Sequence, residues 1–402
     1  MALESDGEST VMLVCGEPSG DLHASELVAE LKHMADVRVV AAGGPRLAAA
    51  GADVRWDSTF WGSIGLPEAL CKLPGYLRSM LTLQARVAEL RPDLLLLVDF
   101  GAYNLRLAAR LRARLPRLPI FYYFPPASWD RKRRYYTNLL RVTDYVATPF
   151  PWNAALLAAQ GATVRWVGHP AVDRVRPPED KAEAKRAVGA DPGATVLGLL
   201  PGSRLTERGL LGETFLRAAE ELRRRMGRLE VLWSSTPGSK QVDWLLGVGA
   251  RREWARPVPD TAALLRAADV GLCCFGTVTI EAALAGCPIV GAYRLTRALQ
   301  AVASFMHLAT SLYSMPNIVA GEPAVPELVQ DDATPANLAD AALELLDGAR
   351  SAPAGGSRLA RVSRAYEKVR VQMGPPGAAK RAAEMVVEAL QGKLPPHTRA
   401  VG

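Results

Sequence analysis

Residues 92–104 read PDLLLLVDFGAYN. The apolar run Leu94–Val98 is too short for a buried helix and has no polar partner face. It fits a strand covered on both sides, as in a parallel sheet. Similar runs flank it: Thr10–Cys15 and Val37–Ala42 before, and Ile120–Phe124, Tyr145–Ala147 and Val164–Val167 after. Between them lie helical patterns such as Ala24–His33. Strands alternating with helices predict a parallel sheet with helices on both faces. The pattern then restarts. Thr195–Leu200, Leu229–Ser234, Val270–Cys274 and Ile289–Gly291 read as strands, with helices over Thr214–Arg225 and Thr277–Ala285. This is a second doubly wound half. The charged, Pro-containing stretch Asp173–Pro192 holds an interdomain linker in its first part, and further helices are predicted over Pro335–Leu346, Ser357–Met373 and Ala378–Leu390. The tail Pro395–Gly402 is expected to fray.

Composition agrees with two such halves. The chain has 402 residues, 49% hydrophobic and 22% charged, too apolar for a disordered chain. The net charge of +7 is too dilute to choose among nucleic acid, anionic lipid and a phosphorylated substrate. Five cysteines without a CxxC pair suggest free thiols in a reducing compartment. No stretch has the roughly 18 apolar residues of a membrane span, and the acidic N-terminus is unlike a signal peptide.

In open α/β sheets ligands gather beyond the carboxyl ends of the strands, so four junctions carry the candidate chemistry. Asp99 ends the run Leu94–Val98. A carboxylate against an apolar background can act as a base; a turn-capping role is about equally compatible. Cys15-Gly16-Glu17-Pro18-Ser19-Gly20-Asp21 is a glycine-punctuated turn into a helix. It can bind anions or hydroxyl-rich ligands, but taken alone it favours a plain turn in which Ser19 or Asp21 caps the helix. Pro201-Gly202-Ser203-Arg204 combines close backbone approach with a guanidinium suited to a diphosphate; a surface turn is the alternative. Gly276, Thr277 and Val278 can offer amides to a second phosphate, and Glu281, one turn on, can accept from ribose hydroxyls; a capping box centred on Thr277 is compatible with that role. His169, in Gly168-His169-Pro170, can brace a hinge. The histidine spacing predicts no metal site. The apolar, weakly basic segment Leu66–Leu83 reads either as a membrane-surface patch or as a core helix interrupted by Pro74-Gly75. The basic run Arg131–Arg134 stands among aromatics, but no RNA-binding motif accompanies it, so no nucleic acid is expected.

Taken in order, these stretches resemble the lipid-A-disaccharide synthases, over about Val11 to Leu346. The segments that carry the resemblance are CGEPSGD (15–21), AGGPRL (42–47), GSIGLPEAL (62–70), PDLLLLVDFGAYN (92–104), VGHPAVD (167–173), LLPGSR (199–204), FGTVTIE (275–281) and MPNIVAGEPAVPELVQDDATPANLA (315–339). The resemblance implies a GT-B type α/β fold of two Rossmann-like doubly wound domains, with an interdomain cleft and a C-terminal helix crossing back to the N-terminal domain. It places an acceptor and membrane domain at 1–172, a UDP-sugar domain at 173–365 and the returning helix with its tail at 366–402. The implied reaction joins UDP-2,3-diacylglucosamine to 2,3-diacylglucosamine 1-phosphate (lipid X), inverts the anomeric centre and releases UDP, with no metal or cofactor. A cytoplasmic protein held peripherally on the inner membrane through Leu66–Leu83 is implied, and a homodimer is one assembly it allows. Residue by residue, Asp99 matches the proposed base and Arg204 the diphosphate arginine. Gly202, Ser203, Gly276, Thr277, Val278 and Glu281 fall on the UDP side. Asn317 and Gln330 match polar positions near the cleft. Glu17, Ser19, Gly20 and Asp21 fall on the acceptor side. The chain departs from the family's Ala-Pro-Asp-Phe-Asn after the aspartate, having Phe100-Gly101-Ala102-Tyr103-Asn104, and it has Phe275 where the family has a small residue.

Overall fold

The computed structural model describes residues 8–58, 66–126, 133–202, 205–235, 254–296, 312–350 and 357–397. The chain divides into two compact units, Met1–Pro170 with Met373–Gly402, and Ala171–Gln372.

Unit 1 holds strands β1 (Ser9–Cys15), β2 (Val37–Gly43), β3 (Asp53–Asp57), β4 (Leu94–Val98), β5 (Ile120–Tyr123), β6 (Tyr145–Thr148) and β7 (Val164–Trp166). They form one parallel sheet in the order β3-β2-β1-β4-β5-β6-β7. Its helices are α1 (Glu17–Met34), α2 (Pro45–Ala49), α3 (Leu66–Leu90), α4 (Gly101–Arg114), α5 (Arg133–Val142) and α6 (Pro151–Ala158). Alternate residues of β4 serve opposite faces, the geometry that requires an unbroken apolar run. Leu94, Leu96 and Val98 pack with Leu27 and Leu31 of α1. Leu95 and Leu97 pack with Met80 and Leu83 of α3 and Leu107 of α4. No helix among the described residues is long and apolar enough to cross a membrane.

Unit 2 opens on α7 (Ala171–Arg174) and α8 (Lys181–Ala187). Its strands are β8 (Thr195–Leu200), β9 (Leu229–Ser234), β10 (Ala255–Val258), β11 (Val270–Cys274), β12 (Ile289–Tyr293) and β13 (Glu327–Val329), parallel in the order β10-β9-β8-β11-β12-β13. The remaining helices are α9 (Leu205–Met226), α10 (Thr261–Ala267), α11 (Val278–Ala285), α12 (Met315–Ala320), α13 (Pro335–Arg350), α14 (Arg358–Met373) and α15 (Ala378–Leu390). The last of these belongs to unit 1. It packs along α1 and gives Ala382, Ala383, Met385 and Val386 to the core there.

Within the stretch Asp173–Pro192, α8 forms in the second part, with Asp180 as cap, its side chain accepting from Ala182 N–H. Some expectations need correcting. Pro74-Gly75 do not interrupt α3, which runs 25 residues through them. The tail is held as far as His397: Thr163 Oγ1 donates to the Pro395 carbonyl, and His397 Nε2 lies 3.0 Å from the Leu140 carbonyl. The described cysteines, Cys15, Cys273, Cys274 and Cys287, are free and buried.

Candidate active site

Strand order reverses direction between β1 and β4 in unit 1, and between β8 and β11 in unit 2. The candidate residues lie at the carboxyl ends of these pairs.

At the end of β4 the backbone turns through two consecutive left-handed residues, Asp99 (φ +50°) and Phe100 (φ +54°). Such conformations cost about 1–3 kcal/mol each and persist only where surrounding bonds enforce them. Here the bonds are visible. Asp99 N–H donates to the Tyr123 carbonyl at 3.0 Å. Its own carbonyl accepts from Tyr122 OH at 2.8 Å and Asn104 Nδ2 at 2.9 Å. The same Asn104 amide also reaches the Val14 and Val98 carbonyls at 3.3 Å, tying β1 to β4. Ser19 Oγ donates to Asp99 Oδ2 at 3.3 Å. A Cβ on Gly20 would stand 3.6 Å from that of Asp99, so the first turn of α1 lies directly against it. Asp99 keeps some exposure, but protein encloses its carboxyl. Burial pushes its acidity toward higher pH, the charge of His23 pulls it back, and Glu17 pushes it up again; the Phe100 N–H and Ser19 hydroxyl pull it down. A carboxyl so shifted is suited to taking a proton near neutral pH.

The departures around it have a steric logic. The Phe100 ring occupies the place of a Gly16 side chain, whose Cβ would come within 2.6 Å of it, and stacks on Tyr103 at 4.7 Å. Gly101 lies under Pro126, where a Cβ would come to 2.5 Å. Neither Ser19 nor Asp21 caps α1, whose N-cap is Gly16 without a side-chain bond. Asp21 is buried and serves α2 instead, accepting from Gly44 N–H at 2.8 Å, Leu47 N–H at 3.2 Å and Arg46 N–H at 3.1 Å. Its carboxylate is therefore spent on the AGGPRL turn. Glu17 is itself left-handed (φ +61°).

In unit 2, Gly202 follows β8 at φ +101°, a conformation only glycine adopts readily. Its carbonyl accepts from Arg208 Nε at 2.6 Å, and that arginine is almost wholly buried. Ser203 and Arg204 lie outside the described residues, as do Arg131 and Lys132 of the basic run. After β11, Gly276 and Thr277 are exposed, and no atom lies within 4 Å of where a Gly276 Cβ would be. Thr277 makes no side-chain cap bond; Thr279 Oγ1 donates instead to the Gly276 carbonyl at 2.8 Å and accepts from Met315 N–H at 3.2 Å. Val278 begins α11. Glu281 lies 3.7 Å from Arg174 of α7. Phe275 fills the space over Gly291 and stacks on Tyr313 at 5.5 Å. Asn317 is buried and pairs both ways with Val325, donating to its carbonyl at 2.9 Å and accepting from its N–H at 2.8 Å. Gln330, left-handed at φ +52°, accepts from Leu295 N–H at 3.2 Å through its side chain and from Arg294 through its carbonyl.

Thus Ser19, Gly20 and Asp99 come together in unit 1. Gly276, Thr277, Val278 and Glu281 share one junction in unit 2. Asp21 and Asn317 act as braces. Sequence reading passed over His23, Tyr122 and Arg208, and gave Asn104 no role. Asn104 was within reach, since an amide five residues after a strand-end carboxylate can bond back to the strand.

Comparison with known proteins follows the same lines. Residues 11–373 match the family model described as lipid-A-disaccharide synthetase. The chain is 34% identical over 392 residues to a lipid-A-disaccharide synthase of Prochlorococcus marinus, covering 94% of this chain and 98% of the relative. It is 32% identical over 398 residues to that of Synechocystis, covering 95% and 98%. Among solved structures, a UDP-GlcNAc 2-epimerase from Neisseria meningitidis bound to UDP-GlcNAc superposes with a TM-score of 0.60 at 11% identity, covering 95% of this chain and all of that one. A glycosyltransferase from Rickettsia africae gives 0.52 at 11% identity, covering 96% and 99%. At that identity the likeness shows the GT-B type fold alone.

Proposed function

The chain belongs to the lipid-A-disaccharide synthase family and is a glycosyltransferase of lipid A assembly; from that premise we propose how its residues perform the transfer. Asp99 is the general base. It takes the proton of the 6-hydroxyl of 2,3-diacylglucosamine 1-phosphate as that oxygen attacks the anomeric carbon of UDP-2,3-diacylglucosamine. The bond from that carbon to the diphosphate oxygen breaks on the opposite side, inverting the centre, and UDP departs with the electron pair. The observation that carries this reading is the enforced left-handed Asp99, fixed by Tyr122, Asn104 and Ser19, with its pKa raised by burial. Ser19 and Gly20 line the acceptor side with Glu17, and Asp21 holds the adjoining turn. Backbone groups of Gly276–Val278 and the α11 N-terminus receive the diphosphate with Gly202, Ser203 and Arg204. Glu281 holds ribose. Asn317 and Gln330 fix the loops around that side.

Membrane contact through α3 is supported by Leu77 and Leu81, which are 41% and 57% exposed one turn apart, with exposed Arg78 between them. This fits a cytoplasmic protein resting on the inner membrane. Anionic vesicles should retain part of the protein at high salt, and Leu77→Ser with Leu81→Ser should abolish that residue of binding.

The direct test incubates purified protein with both lipid substrates in detergent, without added metal, and looks for disaccharide 1-phosphate and UDP. Conversion of UDP-GlcNAc to its 2-epimer in place of disaccharide would sink the reading.

A further inference from the structure

His23 stands one turn after Ser19 and Gly20 on α1, the side of that helix that meets Asp99. It is 3% exposed, and its ring lies flat on Phe124, with centroids 4.3 Å apart and planes 11° apart. Phe124 is another left-handed residue (φ +58°), at the end of β5 beside Asp99. His23 Nδ1 is buried without a hydrogen-bond partner, 3.9 Å from Glu26 Oε2. An imidazole placed only to fill space would be an odd choice here, since a phenyl ring would stack equally well and leave no buried nitrogen unbonded.

Among the described residues, the charged and titratable surroundings are few. From α1 itself come Glu17 and Glu26; from the end of β4 comes Asp99; and the edge of His169, with ring centroids 6.0 Å apart, comes from the loop after β7. Arg381 of α15 is occupied by the Val167 and Pro375 carbonyls, and α15 otherwise meets the α1 side of the sheet with Ala382, Met385 and Val386. The Cys15 thiol is kept neutral by burial and by Asp21 and Asp99.

We propose that His23 is a positioning residue of the transfer site, whose ring, laid on Phe124 one turn after Ser19 and Gly20 and beside Glu26, favours the ionised Asp99 that accepts the acceptor proton. The inference rests on the transferase reading of Asp99 and adds a residue to it. Ala102 stands three residues after Asp99, and the first turn of α4 carries no acid. The charge environment of the base is therefore set from α1. Of the influences lowering the pKa of Asp99 against its burial, the His23 charge is the largest.

The test is the titration of the Asp99 carboxyl by ¹³C NMR of aspartate-labelled protein, assigned with Asp99→Asn. It needs no substrate, so it is separable from failure of the synthase reading. His23→Phe keeps the stack and removes the charge; His23→Gln keeps polarity and serves if the first variant folds poorly. In either variant the midpoint should rise by about one pH unit, and the acidic limb of the kcat/KM profile should rise with it. On that limb the rate should fall roughly ten-fold, while well above it the variants should keep near wild-type turnover. A midpoint and limb unmoved in a folded variant would overturn the proposal and leave His23 a packing residue. Equal loss at every pH would do the same.

Discussion

The two units are built alike, with β1 and β4 corresponding to β8 and β11, yet their rims differ. Unit 1 puts Glu17, Asp99, Phe100 and Phe124 in left-handed backbone at its strand ends. Unit 2 puts Gly202 and Gly276 after β8 and β11, and only Gln330 adopts the left-handed form there among the described non-glycine residues. The physical distinction is between what each rim must present. On the proposed reading, a base must be a side chain, so unit 1 bears backbone strain at Asp99 to aim one. On the same reading, a diphosphate is bound by amide groups, so unit 2 uses glycine, which frees the backbone without that cost.

Four experiments press on this contrast. Asp99→Asn should lower turnover by about 10²–10⁴-fold and leave UDP affinity by calorimetry nearly unchanged; parallel loss of both would erase the division of labour. Gly202→Ala, forced to φ +101°, should weaken UDP binding roughly ten-fold, for a strain of about 1–3 kcal/mol, without moving the pH profile. Asn317→Ala leaves the Val325 N–H and carbonyl without their side-chain partner. It should destabilise unit 2 by about 2 kcal/mol and lower its calorimetric transition by about 4–8 °C, with the unit 1 transition unmoved. The smallest effect is on pH. Because burial raises Asp99 and only the ionised form is a base, kcat/KM should fall as pH drops through a midpoint above the usual carboxylate value of about 4. UDP binding should show no such limb.

What could be read beforehand divides along physical lines. Leu94–Val98, Thr195–Leu200, Leu229–Ser234 and Val270–Cys274 are the observed strands β4, β8, β9 and β11, because interior strands covered on both faces leave an apolar run. The strands that escaped reading, β3, β10 and β13, are all outer strands of their sheets. Asp53–Asp57 alternates with charge, Ala255–Val258 contains Pro257, and Glu327–Val329 is three residues long. An edge strand pairs on one side and tolerates such residues. Asp99 was legible because a carboxylate ending a wholly apolar run is conspicuous. Its supports were not, because Ser19, Tyr122 and His23 arrive from other elements, Ser19 across 80 positions of chain. Asp21 showed the same limit in reverse: a carboxylate in a glycine turn read as a ligand contact or an α1 cap, while its bonds run to a helix more than twenty residues on.

The helix α15 bears on the order of synthesis. Unit 1 begins at the N-terminus, but Ala382, Ala383, Met385 and Val386 complete its core from the far end of the chain. While the ribosome is still making unit 2, Leu27, Leu31 and their neighbours on α1 have no α15 to cover them. The first unit to emerge is therefore the last able to finish folding. A chain truncated before Ala378 should expose that apolar strip to chaperones.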